Sequence, residues 1–440
     1  MPRRSLIPLF MFACAHCDTQ YLKWTGRCNE CGQWGTITEG SNQGSSLGLA
    51  KKSQAKAAPV LALATAATMQ TKHIPTELTE LDRVLGGGIV PGSVTLLAGE
   101  PGIGKSTLVA QLADAFSKRS EGKTAYYASG EESEGQVRLR FERLGIEPKH
   151  ISFSNTVDVA AIIAAAQQLT PSMVIVDSIQ TMMTSEADAF PGTPTAVRAA
   201  TSELIGYAKT SNIPVLIIGQ VTKEGAVAGP KTLEHLVDTV LTLEGDPDSA
   251  YRILRASKHR FGSTDEVGVF EMTEKGLITV ENPSARFLKE RVPGPGSVVT
   301  CVMEGSRPFL VEIQALVDKT FFPNPVRRTS GFDAGRLQML LAIISKRAGV
   351  KIYDQDVFVN VVGGMRISEH AADLAVAAAV MSAVENKPLP ADAVVIGELG
   401  LGGEVRSVPF LERRLKEADR LGMKTFLTPK EIKSVREVLK

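Results

Sequence analysis

The chain has 440 residues, 43% hydrophobic and 22% charged, with a formal net charge of +1. This length exceeds one ordinary core and calls for two or three domains, and the composition is that of a soluble globular protein. A net charge near zero neither supports nor excludes a polyanionic partner, because clustering matters more than the sum.

At the start, Arg3 and Arg4 precede the apolar run Leu6–Phe12. That run is too short for a secretory leader, lacks a small-residue cleavage site and leads straight into cysteines, so no signal peptide is expected. Residues 1–60 carry a local excess of Lys and Arg over acids. Of five cysteines, four fall in Cys14-x₂-Cys17-x₁₀-Cys28-x₂-Cys31. Two such turns offer four soft thiolates to one ion, which is the shell of a closed, structural Zn²⁺ site. Clustered cysteines argue against a disulfide framework and for a reducing cytoplasm. So small a unit has almost no core and needs its metal to fold. Gly26 and Gly32 are expected to allow the tight knuckles. Between them, Lys23, Trp24 and Arg27 suit a phosphate backbone and a stacking ring, while Trp24 and Trp34 equally suit a cover for the ribbon.

The chain divides by composition into a zinc-ribbon module (1–39), a Ser/Ala/Gln/Lys-rich linker (40–71), an alternating βα region (72–285) and a second α+β domain (286–440). In the third segment, apolar strands are predicted at Ser93–Ala98, Lys123–Ala128, His150–Phe153, Met173–Asp177 and Val215–Gly219. Helices are predicted at Lys105–Lys118, Ser133–Leu144, Val157–Gln168 and Thr195–Lys209. Strands apolar on both faces and alternating with helices mean a parallel sheet covered on both sides. From Val237 the pattern changes to consecutive strands, hence an antiparallel extension. The last segment reads as strands Ser297–Val302 and Phe309–Gln314, helix Ala334–Lys346, strand Val357–Val362, helix Ala371–Val384, strand Ala393–Glu398 and helix Leu411–Leu421. The alanine-rich stretches 160–166 and 371–380 fall short of the ~20 apolar residues that span a bilayer.

Gly99-Glu100-Pro101-Gly102-Ile103-Gly104-Lys105-Ser106 fits G-x₄-G-K-[ST] between a predicted strand and a predicted helix, the context in which backbone N–H groups wrap phosphates at a helix N-terminus. Lys105 is expected on the β- and γ-phosphates of ATP, and Ser106, with Thr107 beside it, on Mg²⁺. Asp177 ends the strand Met173–Asp177 and suits the metal side. Glu131 is a candidate to orient or deprotonate the attacking water, with Glu132 as competitor. Gln220 is a candidate γ-phosphate sensor acting on the loop Val221–Lys231.

With these residues in hand, the sequence resembles the bacterial RadA (Sms) family of DNA repair proteins. Leu81-Asp82-Arg83-Val84-Leu85-Gly86-Gly87-Gly88, Ser129-Gly130-Glu131-Glu132-Ser133 and the four cysteines all match. Lys258-His259-Arg260-Phe261-Gly262 is similar to the family's Lys-Asn-Arg-Phe-Gly, with His259 as the departure. The resemblance implies a RecA-like P-loop ATPase core with an N-terminal zinc ribbon and a C-terminal Lon-protease-like α+β domain. It implies a homo-oligomeric ring, a hexamer like the replicative helicases, that binds single-stranded DNA and drives branch migration of recombination intermediates beside the RecA recombinase. Lys258 and Arg260 would then reach ATP on the neighbouring subunit. Against the Lon pattern, Ala371 stands at the serine position and Arg414 at the lysine position. Alanine is no nucleophile and an arginine stays protonated, so proteolysis is not expected. Lys319, Arg327, Arg328, Arg336, Lys346, Arg347 and Lys351 face one acid, Asp333, within 319–351; Arg327-Arg328, expected in a loop, is the best candidate for phosphate contact. Two rival classes stay open on these residues, a Lon-type protease and a RecA-fold signalling ATPase of the circadian-clock type.

Overall fold

The structure, a computed structural model, describes residues 12–39 and 73–439, apart from Asp18, Leu22, Glu121, 187–188, 221–232, 246–249 and Gly364. The predicted linker 40–71 and the whole of the Val221–Lys231 loop lie outside the described residues. Three short strands, β1 (Phe12–Cys14), β2 (Gln20–Tyr21) and β3 (Ile37–Glu39), form an antiparallel sheet in the order β2-β1-β3.

After helix α1 (Thr79–Val84), a regular alternation follows: β4 (Val94–Gly99), α2 (Lys105–Arg119), β5 (Ala125–Ser129), α3 (Glu134–Leu144), β6 (Ile151–Asn155), α4 (Val159–Leu169), β7 (Met173–Asp177), α5 (Pro194–Ser211), β8 (Val215–Gln220) and β9 (Thr239–Glu244). The strands pair in parallel, and β10 (Tyr251–His259), β11 (Val267–Thr273) and β12 (Gly276–Thr279) continue the sheet antiparallel, giving the order β12-β11-β10-β9-β4-β8-β7-β5-β6. All six residues of β4 are buried, which a parallel strand covered on both faces requires. Alternation sorts them: Leu97 packs with Leu108, Leu112 and Phe116 of α2, while Leu96 packs with Ile162 of α4 and Leu204 of α5. Local signals fix the helix starts. Asp158 accepts from the Ala160 amide at 2.9 Å, Thr193 caps α5 ahead of Pro194, and Ser133 with Gln136 forms a capping box on α3.

The remaining elements are α6 (Pro283–Lys289), β13 (Ser297–Glu304), β14 (Arg307–Lys319), β15 (Arg327–Ser330), α7 (Ala334–Ile343), β16 (Gln355–Val361), α8 (Asp373–Glu385), β17 (Ala393–Val395), β18 (Glu398–Leu399), β19 (Val405–Arg406), α9 (Leu411–Arg420) and β20 (Thr425–Leu427). They build a second sheet in the order β15-β16-β14-β13-β17-β20, with β18 and β19 as a separate pair. Helices α7 and α8 cover one face through Leu337, Leu341, Val376 and Val380. Val267 and Val269 of the first sheet, with Val280 just after it, belong to that same core, and Arg307 bonds the buried Glu80 at 2.6 Å across the junction.

Three expectations change here. Arg327 and Arg328 lie in edge strand β15, parallel to β16, and not in a loop. The predicted strand Ala393–Glu398 is split: after Val395 the chain leaves the sheet and Glu398 pairs with Arg406 instead. Helix α7 ends at Ile343 and continues as a wider turn over Ile344–Ala348.

Candidate functional site: a phosphate loop and a four-sulfur centre

The loop after β4 begins where Gly99 leaves the sheet. A side chain at Gly99 would sit 2.7 Å from the Leu243 carbonyl oxygen, and Gly104 turns into α2 with a φ of 114°, a conformation that favours glycine. The loop therefore curls closely over the first turn of α2, the setting in which backbone amides at a helix N-terminus form an anion cradle. Lys105 folds back over it, its Nζ donating at 2.9 Å to the carbonyls of both Gly99 and Glu100. Burial holds this ammonium below its usual pKa, while the Asp177 and Glu131 carboxylates pull the other way.

Parallel pairing brings the acidic and amide groups to the same end of the sheet. Gly99 is level with Gln220 and Ser129 with Asp177, so the carboxyl ends of β4, β8, β7 and β5 share one crevice. Asp177 is 4% exposed and accepts from Tyr127 Oη at 2.5 Å. Burial raises its carboxyl pKa, and the hydroxyls of Tyr127 and Ser106 bring it partly back down. Glu131 accepts from Ser178 Oγ and, at 3.1 and 3.3 Å, from Gln220 Nε2. Glu132 is engaged elsewhere, in an ion pair with Arg140. The geometry separates the two neighbours: Glu131 faces the crevice with Gln220, and Glu132 is tied to α3.

Lys258 and Arg260 are not in this crevice. His259 is level with Thr239 and, through β9, with Thr95, while the Arg260 amide bonds the Asp238 carbonyl at 3.1 Å. Both cations thus lie at the opposite end of the central strands from Gly99. Lys258 Nζ donates to the carbonyls of Glu234 (2.5 Å) and Val237 (2.8 Å). Arg260 pairs with Asp238 at 3.1 Å, and Asp238 also holds Lys209 and the Val94 amide. His259 sits between them with Nδ1 3.0 Å from Thr239 Oγ1 and Nε2 buried without a partner. Burial, and to a lesser degree His73, keeps this imidazole below its ordinary pKa.

Sequence reasoning missed Arg252. From β10 this buried residue donates through Nε to the Ile103 carbonyl at 3.1 Å, buttressing the phosphate loop from outside. It also missed Tyr127, the partner of Asp177. Neither has a local signal, since both contacts depend on how strands distant in sequence align.

At the N-terminus, Cys14 and Cys17 flank the turn after β1, and Cys28 and Cys31 flank a second turn. All four sulfurs lie within 4.8 Å of one another, with Cys17–Cys28 at 3.4 Å and Cys14–Cys31 at 3.7 Å. A tetrahedron of about 2.3 Å Zn–S bonds has edges of about 3.8 Å, so this donor set fits a structural zinc ion. Gly32 (φ 74°) and Gly35 (φ 70°) make the left-handed turns; Gly26 does not, and a Cβ there would make only ordinary contacts with Trp24 and Trp34. The two tryptophans are 60% and 73% exposed, with both rings beside Gly26 and Trp24 Nε1 donating to the Ile37 carbonyl at 3.1 Å. Arg27 lies 5.9 Å from the Trp34 ring centroid.

Against the second sheet, Ala371 in the turn before α8 is buried and Arg414 on α9 is 1% exposed. The guanidinium grips Glu369 with two 2.6 Å bonds and donates to the Cys301 carbonyl at 2.6 Å. Burial pushes the Cys301 thiol up to about 12. Of the basic stretch, Arg336 pairs with the buried Asp373. Among the described residues, no helix is long and apolar enough to cross a membrane.

Comparison with known proteins yields three family models: a rubredoxin metal binding domain over residues 12–39, an AAA domain over 60–226, and subunit ChlI of Mg-chelatase over 337–432. Among curated relatives, the DNA repair protein RadA of Pseudomonas aeruginosa is 47% identical over 421 residues, 95% of this chain and 92% of its own length. The proteins of the same name from Aquifex aeolicus and Bacillus subtilis are each 45% identical, covering 96% and 95% of this chain and 93% and 92% of theirs. Among solved structures, the RadB recombinase aligns with 46% of this chain and 97% of its own at 25% identity and a TM-score of 0.36.

Proposed function

The chain belongs to the DNA repair protein RadA family, and from that premise we propose that it is a DNA-dependent ATPase motor that binds single strands and moves the branch of recombination intermediates. The observation that carries this reading is the separation of charge along one sheet. Lys105, Ser106, Asp177, Glu131 and Gln220 gather at one end of the central strands, and Lys258 and Arg260 stand at the other. One chain cannot bring both sets to one nucleotide. A ring of identical chains, packed head to tail, can, because each junction then joins one subunit's phosphate loop to its neighbour's cations.

On this reading, the backbone amides of Gly99–Thr107 hold the phosphates of ATP, and Lys105 neutralises the β- and γ-oxygens. Ser106 and Asp177 are the residues suited to Mg²⁺, which supplies charge neutralisation on the phosphates when bound. Glu131, held by Ser178 and Gln220, takes a proton from the water whose oxygen attacks the γ-phosphorus as the bond to the β-phosphate oxygen breaks. Gln220 links Glu131 to the segment that follows β8, and so carries nucleotide state toward it. Lys258 and Arg260 stabilise the charge that develops on the neighbour's transferred phosphoryl group. The zinc ribbon is a structural module, and its exposed Trp24 and Trp34 leave it free to meet a strand or a protein. The partners are single-stranded DNA, branched recombination intermediates, the RecA recombinase and further copies of the chain in a hexameric ring, working in the cytoplasm. Proteolysis has no support: no hydroxyl stands at Ala371, Arg414 is locked to Glu369, and Cys301 is held as the neutral thiol.

The test is conversion of a three-stranded DNA joint to product by the intact chain beside Lys105→Ala. The reading expects ATP-dependent extension by the parent and none by the variant. Equal extension by both, or none by either, contradicts it.

A further inference from the structure

We propose that the open face of the second sheet is a binding cleft for unpaired nucleobases, with Phe358 as its floor. The inference rests on the strand-binding reading above and gives it a location. The register of β15, β16 and β14 sets two rows across this face: Arg328, Phe358 and Leu316, then Ser330, Asn360 and Gln314. The alternate residues Val357, Val359 and Val361 enter the core with residues of α7 and α8, so the period of two forces the first set outward. Phe358 is 38% and Leu316 65% exposed, an apolar strip that no other part of the described chain covers. The segment from Val292 to Gly296 walls one side, and the cleft measures about 520 Å³, within the ≈ 300–1,000 Å³ typical of small-ligand sites.

The lining identifies the occupant. No Asp or Glu borders the cleft, and its one charged group is the Arg328 guanidinium. Among the described residues, the side chains of Arg328, Gln314, Ser330 and Asn360 have no partner within the chain. Other arginines of this half are committed: Arg336 to Asp373, Arg307 to Glu80 and Arg414 to Glu369. Acids lie one row beyond at each end of the face: Asp318 and Asp356, where Asp356 accepts the Val326 amide at 2.7 Å, and Glu312, which is buried and accepts from Ser297 Oγ at 2.6 Å. An exposed ring flanked by a free guanidinium, two free amides and a free hydroxyl matches what a splayed base presents. Its π-face stacks on Phe358, its edge bonds Asn360 and Gln314, and its phosphate meets Arg328. Paired bases in a duplex are already stacked on one another and cannot offer that face.

The experiment measures binding of the full-length chain to a labelled oligothymidylate and to an abasic oligonucleotide of equal length and charge. The parent is expected to prefer the thymidylate. Phe358→Ala should weaken thymidylate binding by about 5- to 150-fold, the range of one lost stack, and leave abasic binding unchanged. Phe358→Trp keeps a ring and should retain the preference. Arg328→Ala should weaken both ligands and lower the salt dependence by about one phosphate contact. Unchanged thymidylate binding by Phe358→Ala overturns the assignment, and so does an equal loss for both ligands accompanied by a change in assembly size, which would make this face a contact between copies. A parent that binds neither oligonucleotide would overturn the strand-binding reading itself, a distinct result.

Discussion

Arg260→Ala and Lys105→Ala should each abolish ATP hydrolysis alone and restore it when mixed. Arg260 is level with Val94 at the start of β4, and Gly99 lies five residues further along that strand, about 16 Å at 3.3 Å per residue. That exceeds the span of an arginine side chain, so Arg260 cannot serve its own subunit's nucleotide. An arginine acting on a transferred phosphoryl group contributes about 10³–10⁵ in kcat, so either variant alone should fall to about one part in a thousand or less. In rings drawn at random from equal amounts of the two, about one junction in four joins an intact phosphate loop to an intact Arg260, and the mixture should recover about a quarter of the parent rate. The substitution leaves the fold in place: Arg260 is 51% exposed, and Asp238 keeps Lys209 at 2.8 Å and the Val94 amide at 3.0 Å. The assay is steady-state phosphate release from each variant and from their mixture after subunit exchange, with circular dichroism as the check on folding. A mixture as inactive as its components, or an active Arg260→Ala, would refute the shared-junction mechanism.

Glu131→Gln should slow hydrolysis by about 10²–10⁴ while nucleotide binding persists, because it removes the proton acceptor and keeps the shape; Glu132→Gln should leave the rate far closer to the parent, since Glu132 is engaged with Arg140. Single-turnover hydrolysis and fluorescent-nucleotide titration check both. Asp177→Asn should raise the thermal midpoint of the nucleotide-free chain at neutral pH. Burial raises the folded-state pKa of this carboxyl, so its ionisation costs stability. That cost sets in as pH rises through the unfolded value, is full above the raised folded value, and vanishes below both. The gain in midpoint should shrink accordingly as the solution is made acidic. Stripping metal with a chelator should release one zinc per chain and open residues 12–39 to protease while the β4–β12 sheet stays protected, measured with a chromogenic zinc indicator and timed proteolysis.

The nucleotide crevice was legible in the sequence because its parts are local. A buried strand, a glycine-rich turn and a helix start are adjacent in the chain, and the strands of a two-sided parallel sheet read as unbroken apolar runs. Predicted strand ends there fall within about two residues of those observed, Ser93–Ala98 against Val94–Gly99 for example. Elements that depend on tertiary pairing were not legible. Strand β15 reads Arg-Arg-Thr-Ser after a proline and shows no apolar alternation, because it is an edge strand whose partner supplies the pairing. Strand β14 runs to Lys319 and not to Gln314, since its second half lies over an open face where the pattern mixes polar and apolar residues. Helix α6 was missed although Asn282 caps it and Pro283 opens it, because seven residues are too few for a period to emerge. The choice of Glu131 over Glu132 needed Gln220 and Arg140 in three dimensions.

The most direct test of the central claim is the rate of ATP hydrolysis by the intact chain with and without single-stranded DNA at low salt, beside Lys105→Ala. The account predicts a parent rate that rises with the strand and a variant that is silent in both conditions. A parent rate indifferent to the strand, or hydrolysis that survives in Lys105→Ala, would contradict it.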